Sequence, residues 1–402
     1  MKFGKVGQVG LVSVLALTVA TLFTACNPVN VGYLFVATNK QTPGQIEVYK
    51  IDPIAGYLKV IPTSPFPSGG RDPIAEAVSP DFKNLYVVNE DDNNIVQFGI
   101  GTDGKLYAQS TVNTPGAFPL ALAINSAGTF LYVVDTLQPI AGCTLSNPCP
   151  GDIAVYPVDP KTGAMGTPIA NNSQYPAFWP LLKSPSDSKN VLTPTAVQVL
   201  ANGSAVYVTA YSAASPTNPA VGYIFGFSSD STGALTPLNN GLPWTTGQQP
   251  VALTSDSGST FLYVADKLTN TVTSYAVQSG GTLTAQSAAS TGGAPSALTL
   301  YAGNFLYVTN SGDSTVSTYA VSSGNLTKAT SNASDTNPIA ITLDPKGVGY
   351  LYTVNFLGNS VSGFQLDPNS GALINAQNSP YPSLVQPTAI AGVPHGGTAT
   401  SK

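Results

Sequence analysis

The sequence predicts an all-β fold: a seven-bladed β-propeller with four antiparallel strands per blade, its ring closed by the C-terminal strand joining the N-terminal blade. Three observations carry this. The composition favours strands and tight turns, one four-element pattern recurs along the chain, and the two ends hold complementary parts of a single repeat.

Composition comes first. The chain has 402 residues with 39 Gly, 33 Pro and only 9% charged residues. Val, Thr, Tyr, Ser, Gly and Asn dominate, which suits short strands separated by turns. A single domain of this length is most simply built as a repeat array. The net charge of −5 comes with no basic stripe, which argues against nucleic-acid binding.

The repeat has four elements. An aromatic followed by Val or Thr ends an apolar strand at Phe35, Tyr86, Tyr132, Tyr207, Tyr263, Tyr307 and Tyr352. A second strand follows with an apolar residue three positions before an aromatic, as in Ile95/Phe98 and Val316/Tyr319. A Gly-x-Leu, once Gly-x-Met, then opens a third strand at Gly56, Gly104, Gly163, Gly233, Gly281, Gly324 and Gly371. A Pro-x-Ala strand precedes the aromatic strand at Pro73, Pro119, Pro194, Pro250, Pro295 and Pro338. Proline is tolerated at a strand's first position, and the small Ala suits the crowded strand nearest a propeller axis. The unit beginning near Tyr33 lacks its Pro-x-Ala strand, and the chain ends on a spare one, Pro387-Thr388-Ala389. Joined, they complete one blade and leave no open edge.

The chain start resembles a bacterial lipoprotein signal. Lys2 and Lys5 precede an apolar run from Val6 to Phe23, and Thr24-Ala25-Cys26 resembles a lipobox. The expected organisation is a signal peptide over 1–25, a linker over 26–32 lipidated at Cys26, the propeller over 33–393 and a flexible tail over 394–402. The expected location is the bacterial cell envelope, with the membrane as partner through the lipid anchor. Export favours a disulfide between Cys143 and Cys149, which lie close together in a Pro-rich loop.

Candidate site residues are departures from the repeat or polar residues at strand ends. Asn89, Asp135, Asp266, Asn310 and Asn355 end the aromatic strands, with Glu90 beside the first of them. They read either as turn formers or as oxygen ligands for a bound molecule or a hard cation such as Ca²⁺. Glu76 takes a slot held elsewhere by Leu122, Val197, Leu253, Leu298, Ile341 and Ile390. A carboxylate there needs either a partner, for which Arg71 is the nearest candidate, or a catalytic role. Three extensions interrupt the third and fourth units: after Asp135, after Ala210, and between Gly163 and Pro194. Strand order puts all three on the face that bears the strand-end Asn and Asp residues. They carry Tyr175, Phe178, Trp179 and Tyr211, residue types that favour glycan or protein contacts.

Leu85-Tyr86-Val87-Val88-Asn89-Glu90, Leu131-Tyr132-Val133-Val134-Asp135, Leu306-Tyr307-Val308-Thr309-Asn310 and the Ser79-Pro80-Asp81 turn resemble the Tyr-Val-Thr-Asn repeat, lactonase-type propeller family typified by bacterial 6-phosphogluconolactonase. The resemblance spans roughly residues 31–394 and implies a lactone hydrolase using His, Arg and Glu around a central pocket. This chain departs from that pattern: Arg71 is its only arginine and its only histidine, His395, lies beyond the blades. Two functions therefore follow. One is a non-catalytic envelope propeller that binds a protein, glycan or small ligand through its decorated face. The other is a hydrolase of a neutral lactone, with or without a metal ion.

Overall fold

The computed structural model describes residues 31–39, 42–184, 190–215 and 218–396. The expectations placed on the signal peptide, on Cys26 and on the tail from residue 397 lie outside the described residues.

The chain folds into seven antiparallel sheets, and no α-helix occurs among the described residues. From the inside outward, blade 1 consists of Pro387–Pro394, Gly32–Thr38, Gln45–Ile51 and Leu58–Val60. Blade 2 follows the same order within one stretch of chain: Pro73–Val78, Asn84–Asn89, Asn94–Ile100 and Leu106–Asn113. The inner strands of blades 3 to 7 are Ala117–Ile124, Thr193–Val199, Pro250–Ser255, Pro295–Tyr301 and Pro338–Leu343. Each inner strand packs on the inner strands of both neighbouring blades, and Pro387–Pro394 touches those of blades 2 and 7.

The two chain ends close blade 1 as the sequence predicts, with Gly32 opposite Pro394 and Val36 opposite Ile390. Inner strands run from a top face, where each begins, to a bottom face. Second strands run back up, so Val31 and His395 meet at the bottom, where the His395 N–H donates to the Val31 carbonyl at 3.0 Å.

Each Pro-x-Ala contains a register shift, as between Pro73 and Ala75 or Pro338 and Ala340. Proline brings no N–H to the ladder, so the residue after it becomes the extra residue of a bulge. Its side chain can then reach the next blade. Thr388 Oγ1 donates to the Pro73 carbonyl at 2.5 Å, and Ser296 Oγ to the Pro338 carbonyl at 2.6 Å.

Four of the recurring tyrosines and glycines prove to be partners across blades. Tyr86 Oη donates to the carbonyl of Gly163, Tyr207 to Gly281, Tyr307 to Gly371 and Tyr352 to Gly56, at 2.7–2.9 Å. The tyrosine always belongs to one blade and the glycine to the next, and Tyr352 to Gly56 joins blade 7 to blade 1. These glycines have positive φ, +64° at Gly56 and +69° at Gly371, in turns at the bottom face. A Cβ at Gly371 would collide with the Phe305 ring, so both backbone shape and space demand glycine.

Two expectations about the outer parts need correction. From Gly163 to Pro180 the extension that precedes Pro194 does not project from the top face. It climbs the outer flank of blade 3, where Trp179–Pro180 pairs with Asp152–Ile153 as a short outer strand. Phe178 and Trp179 are buried there, and Trp179 joins the apolar cluster between blades 3 and 4 with Phe225, Phe227 and Leu235. Their apolar surface gains more from that core than from exposure on a binding face. The loop after Asp135 does leave from the top, and Cys143 and Cys149 form its disulfide.

Candidate functional site

The residues singled out by sequence fall into three groups. Arg71 and Glu76 are not partners. Arg71 Nε donates to Asp92 Oδ1 at 2.8 Å, its Nη2 lies 2.7 Å from the same oxygen, and its Nη1 lies 3.9 Å from Asp91. This ion pair is exposed and lies on the connection entering blade 2. The expected Arg71–Glu76 pairing is thus replaced by Arg71 with Asp91 and Asp92, because the loop after Asn89 brings those carboxylates closer.

Glu76 sits midway along the inner strand of blade 2, opposite Val87. Its Oε1 accepts the Ala37 N–H at 2.9 Å, beside the bulge of blade 1. Its Oε2 is enclosed and has no partner among the described residues. Burial pushes the carboxyl up to about 8, against the smaller downward pull of the Ala37 amide. Glu76 is thus a buried carboxyl held by one backbone amide, in a slot that six other blades fill with aliphatic side chains.

Two further enclosed acceptors occupy the top ends of blades 1 and 2. Asp72 Oδ1 and Asn39 Oδ1 are buried without partners among the described residues. Asp72 precedes Pro73 with φ +53°, and its carbonyl accepts the Glu90 N–H at 2.9 Å. Glu90 is half-buried, and burial, then Asp72 and Asp91, push its carboxyl up to about 7. Sequence reading missed Asn39 and Asp72. A signal existed for Asp72: the residue before the proline in the other blades is Phe118, Thr193, Gln249, Ala294, Asn337 or Gln386, so Asp72 is the only ionisable one.

The strand-end Asn and Asp residues form no common site. All five are fully buried, and each reaches sideways to the connection that enters its own blade. Asn89 Oδ1 accepts from Ser68 Oγ at 2.8 Å, and Asn310 Oδ1 from the Gly292 N–H at 3.0 Å. Asn355 Oδ1 accepts from Ser334 Oγ at 3.0 Å, Asp135 Oδ2 from the Gly116 N–H at 3.0 Å, and Asp266 from Thr246 Oγ1 at 3.1 Å. Burial pushes Asp266 up to about 7, against the pull of the Thr246 and Gly247 bonds. Among the described residues, no group of three or more His, Cys, Asp or Glu side chains is arranged to hold a metal ion. Tyr211 is half-buried near the top end of its strand in blade 4, opposite Thr193.

Outside the axis, a cleft of about 250 Å³ lies on the flank between blades 3 and 4, lined by Tyr175, Trp179, Phe225, Leu238 and Leu242. It is apolar, and the amides of Asn171 and Asn172 beside it bond to Phe178, to each other and to the backbone of Gln174 and Tyr175.

Known proteins agree with this architecture. The family described as lactonase, seven-bladed β-propeller, matches residues 44–169 and 288–388. No curated protein sequence matches the chain. Among solved structures, the periplasmic gluconolactonase of Pseudomonas aeruginosa superposes with a TM-score of 0.72 at 21% identity, covering 90% of this chain and 99% of that one. A Bacteroides fragilis protein with a provisional 6-phosphogluconolactonase description gives 0.72 at 18% identity, covering 92% and 99%. A Lactobacillus plantarum protein gives 0.71 at 18%, covering 90% and 99%. At these identities the structures speak for the fold, while the family match spans more than half of the sequence, and the chain belongs to the lactonase family of seven-bladed β-propellers.

Proposed function

We propose that the protein hydrolyses a neutral, polyhydroxylated lactone, with Glu76 as the general base that activates water. The observation that carries this is the Glu76 carboxyl, enclosed on an inner strand, with one oxygen free and no cation bound to it among the described residues. A carboxylate raised toward neutrality by burial is a stronger base than an exposed one, as proton abstraction from water requires. Family membership and the gluconolactonase title of a similar structure point to the same reaction class.

The charge pattern supports a neutral substrate. Asn39, Asp72 and Glu76 offer acceptors, which suit the hydroxyl donors of a sugar lactone. A phosphorylated lactone would need a cationic clamp, and Arg71 is already engaged by Asp91 and Asp92. The envelope location expected from the N-terminal segment fits an extracytoplasmic neutral substrate, and the Pseudomonas protein is likewise described as periplasmic.

The test is a panel of neutral and phosphorylated aldonolactones. Hydrolysis should favour neutral members, and kcat/KM should rise with pH through about 8 as Glu76 ionises. Glu76→Gln should lower kcat by roughly 10²–10⁴-fold with the fold intact. Full activity in that variant would remove Glu76 from the mechanism. Inactivity of the wild type on every lactone would favour the non-catalytic binding role.

A further inference from the structure

Blade 3 departs from its neighbours at one buried position. In blades 2, 6 and 7 the amide ending the second strand donates to the first side chain of the third. Asn89 Nδ2 donates to Asn94 Oδ1 at 2.8 Å, Asn310 Nδ2 to Thr315 Oγ1 at 3.0 Å, and Asn355 Nδ2 to Ser360 Oγ at 2.9 Å. The oxygen of the same amide accepts from the connection entering its blade. Each amide thus uses both its NH2 group and its carbonyl oxygen to tie three segments together.

In blade 3 the two positions are Asp135 and Asp152, directly opposite in register. Both are fully buried. Asp135 Oδ2 keeps the acceptor role, taking the Gly116 N–H at 3.0 Å. Asp135 Oδ1 and both oxygens of Asp152 have no partner among the described residues. Two ionised carboxylates cannot face each other in such a place without a positive charge between them. Among the described residues no lysine, arginine or histidine bonds to either, and opposite residues on adjacent strands lie close enough for direct carboxyl contact. A calcium ion would take six or more oxygens, and no third metal-ligating side chain joins these two among the described residues.

We propose that Asp135 and Asp152 share a single proton at neutral pH, and that this carboxyl–carboxylate hydrogen bond clasps the base of the disulfide-closed loop at 136–151. The proton restores the donor that Asn89, Asn310 and Asn355 supply in their own blades. Because the loop leaves at Asp135 and returns at Asp152, the bond fixes both of its roots. Losing the proton leaves two buried anions at those roots and pushes them apart. The device is therefore a pH-sensitive latch on a top-face loop.

The surroundings agree. Burial raises both carboxyls, Asp135 to about 7, and Asp152 is raised further by the Asp135 charge. Gly116 and Thr114 on the entering connection pull Asp135 down in part. Tyr156 is the titratable neighbour, raised by burial and by both carboxylates, and its hydroxyl donates to the Asn113 carbonyl at 3.0 Å. The adjoining inner strands Ala117–Ile124 and Thr193–Val199 and the outer pair Trp179–Pro180 bring no charged residue.

The sign follows from linkage. Both folded-state pKa values lie above the unfolded ones, so the protons on this pair stabilise the fold fully below about pH 4, where both carboxyls are protonated. One proton leaves as pH rises through about 7 and the shared one at higher pH, so the contribution declines across that range. Asp135→Asn replaces the proton with an amide donor and copies the arrangement of blades 2, 6 and 7. In thermal melts of the full chain from pH 5 to pH 9, wild type should lose on the order of 5 °C more than Asp135→Asn, and the variant should melt higher at pH 9. The infrared band of a protonated carboxylic acid at pH 7 should be weaker in Asp135→Asn than in wild type, whereas Glu76→Gln should leave this part of the band in place. Equal pH slopes for wild type and Asp135→Asn would overturn the proposal. So would a wild-type melting temperature that falls on adding a chelator and recovers with Ca²⁺, since a metal ion would then hold the pair.

Discussion

Single residues decide two different properties of this molecule. Glu76 is distinctive because its six counterparts are aliphatic, and that contrast is plain in the sequence alone. What the sequence cannot show is that Arg71, only five residues away, turns to Asp91 and Asp92 instead. The repeat tyrosines and glycines present the opposite case. Each set stands out by spacing, but their pairing depends on which blade follows which in space. Tyr352→Phe tests that pairing. It strands the Gly56 carbonyl at the junction of blades 7 and 1, and should cost about 1–2 kcal/mol in urea unfolding. Blade 1 itself has Phe35 at the equivalent position, so loss of the hydroxyl alters stability without destroying the fold.

Among the elements, the inner, second and third strands were legible because each carries a repeated signature. The outer strands opened by Gly-x-Leu, such as Leu58–Val60 and Leu373–Asn375, were legible for the same reason, but the shortest outer pairings were not. Phe66–Pro67, Trp179–Pro180 and Tyr381–Pro382 are two-residue pairings with no periodicity to detect. The strand-end amides were recognised as a set, but their partners lie in connections whose sequences vary from blade to blade. Asp152 escaped notice because the inserted loop separates it from Asp135 in sequence. Asn310→Ala tests how much such a tie contributes. It frees the Gly292 N–H and two hydroxyl partners, Thr315 and Ser317, and should destabilise the fold by roughly 2–3 kcal/mol in chemical denaturation. Gly292→Ala should act in the same direction, since its Cβ would lie 2.8 Å from Asn310.

At the level of the whole ring, closure and charge dominate. Removing residues 387–402 takes away the inner strand of blade 1, along with Ala391 and Val393 from its apolar cluster. The truncated chain should lose its cooperative thermal transition in circular dichroism and associate through the exposed edge of Gly32–Thr38. Raised carboxyls are spread over several blades: Glu76 near 8, with Glu90, Asp135 and Asp266 near 7. Each binds its proton more tightly folded than unfolded. Stability is therefore greatest below about pH 4 for these groups and declines as pH rises through 7–8, so melts at pH 5 should exceed those at pH 9.

The meeting of Val31 and His395 at the bottom of blade 1 also sets an orientation. Cys26 lies five residues before Val31, so a membrane anchor there would hold the ring by its lower rim on a short leash. Glu76, Asp72 and the latched loop would then face the surrounding fluid, separated from the tether by roughly the 20 Å rise of one strand. A substrate arriving by diffusion would meet the mouth of the propeller first, and the lipid surface would be screened from it by the ring itself.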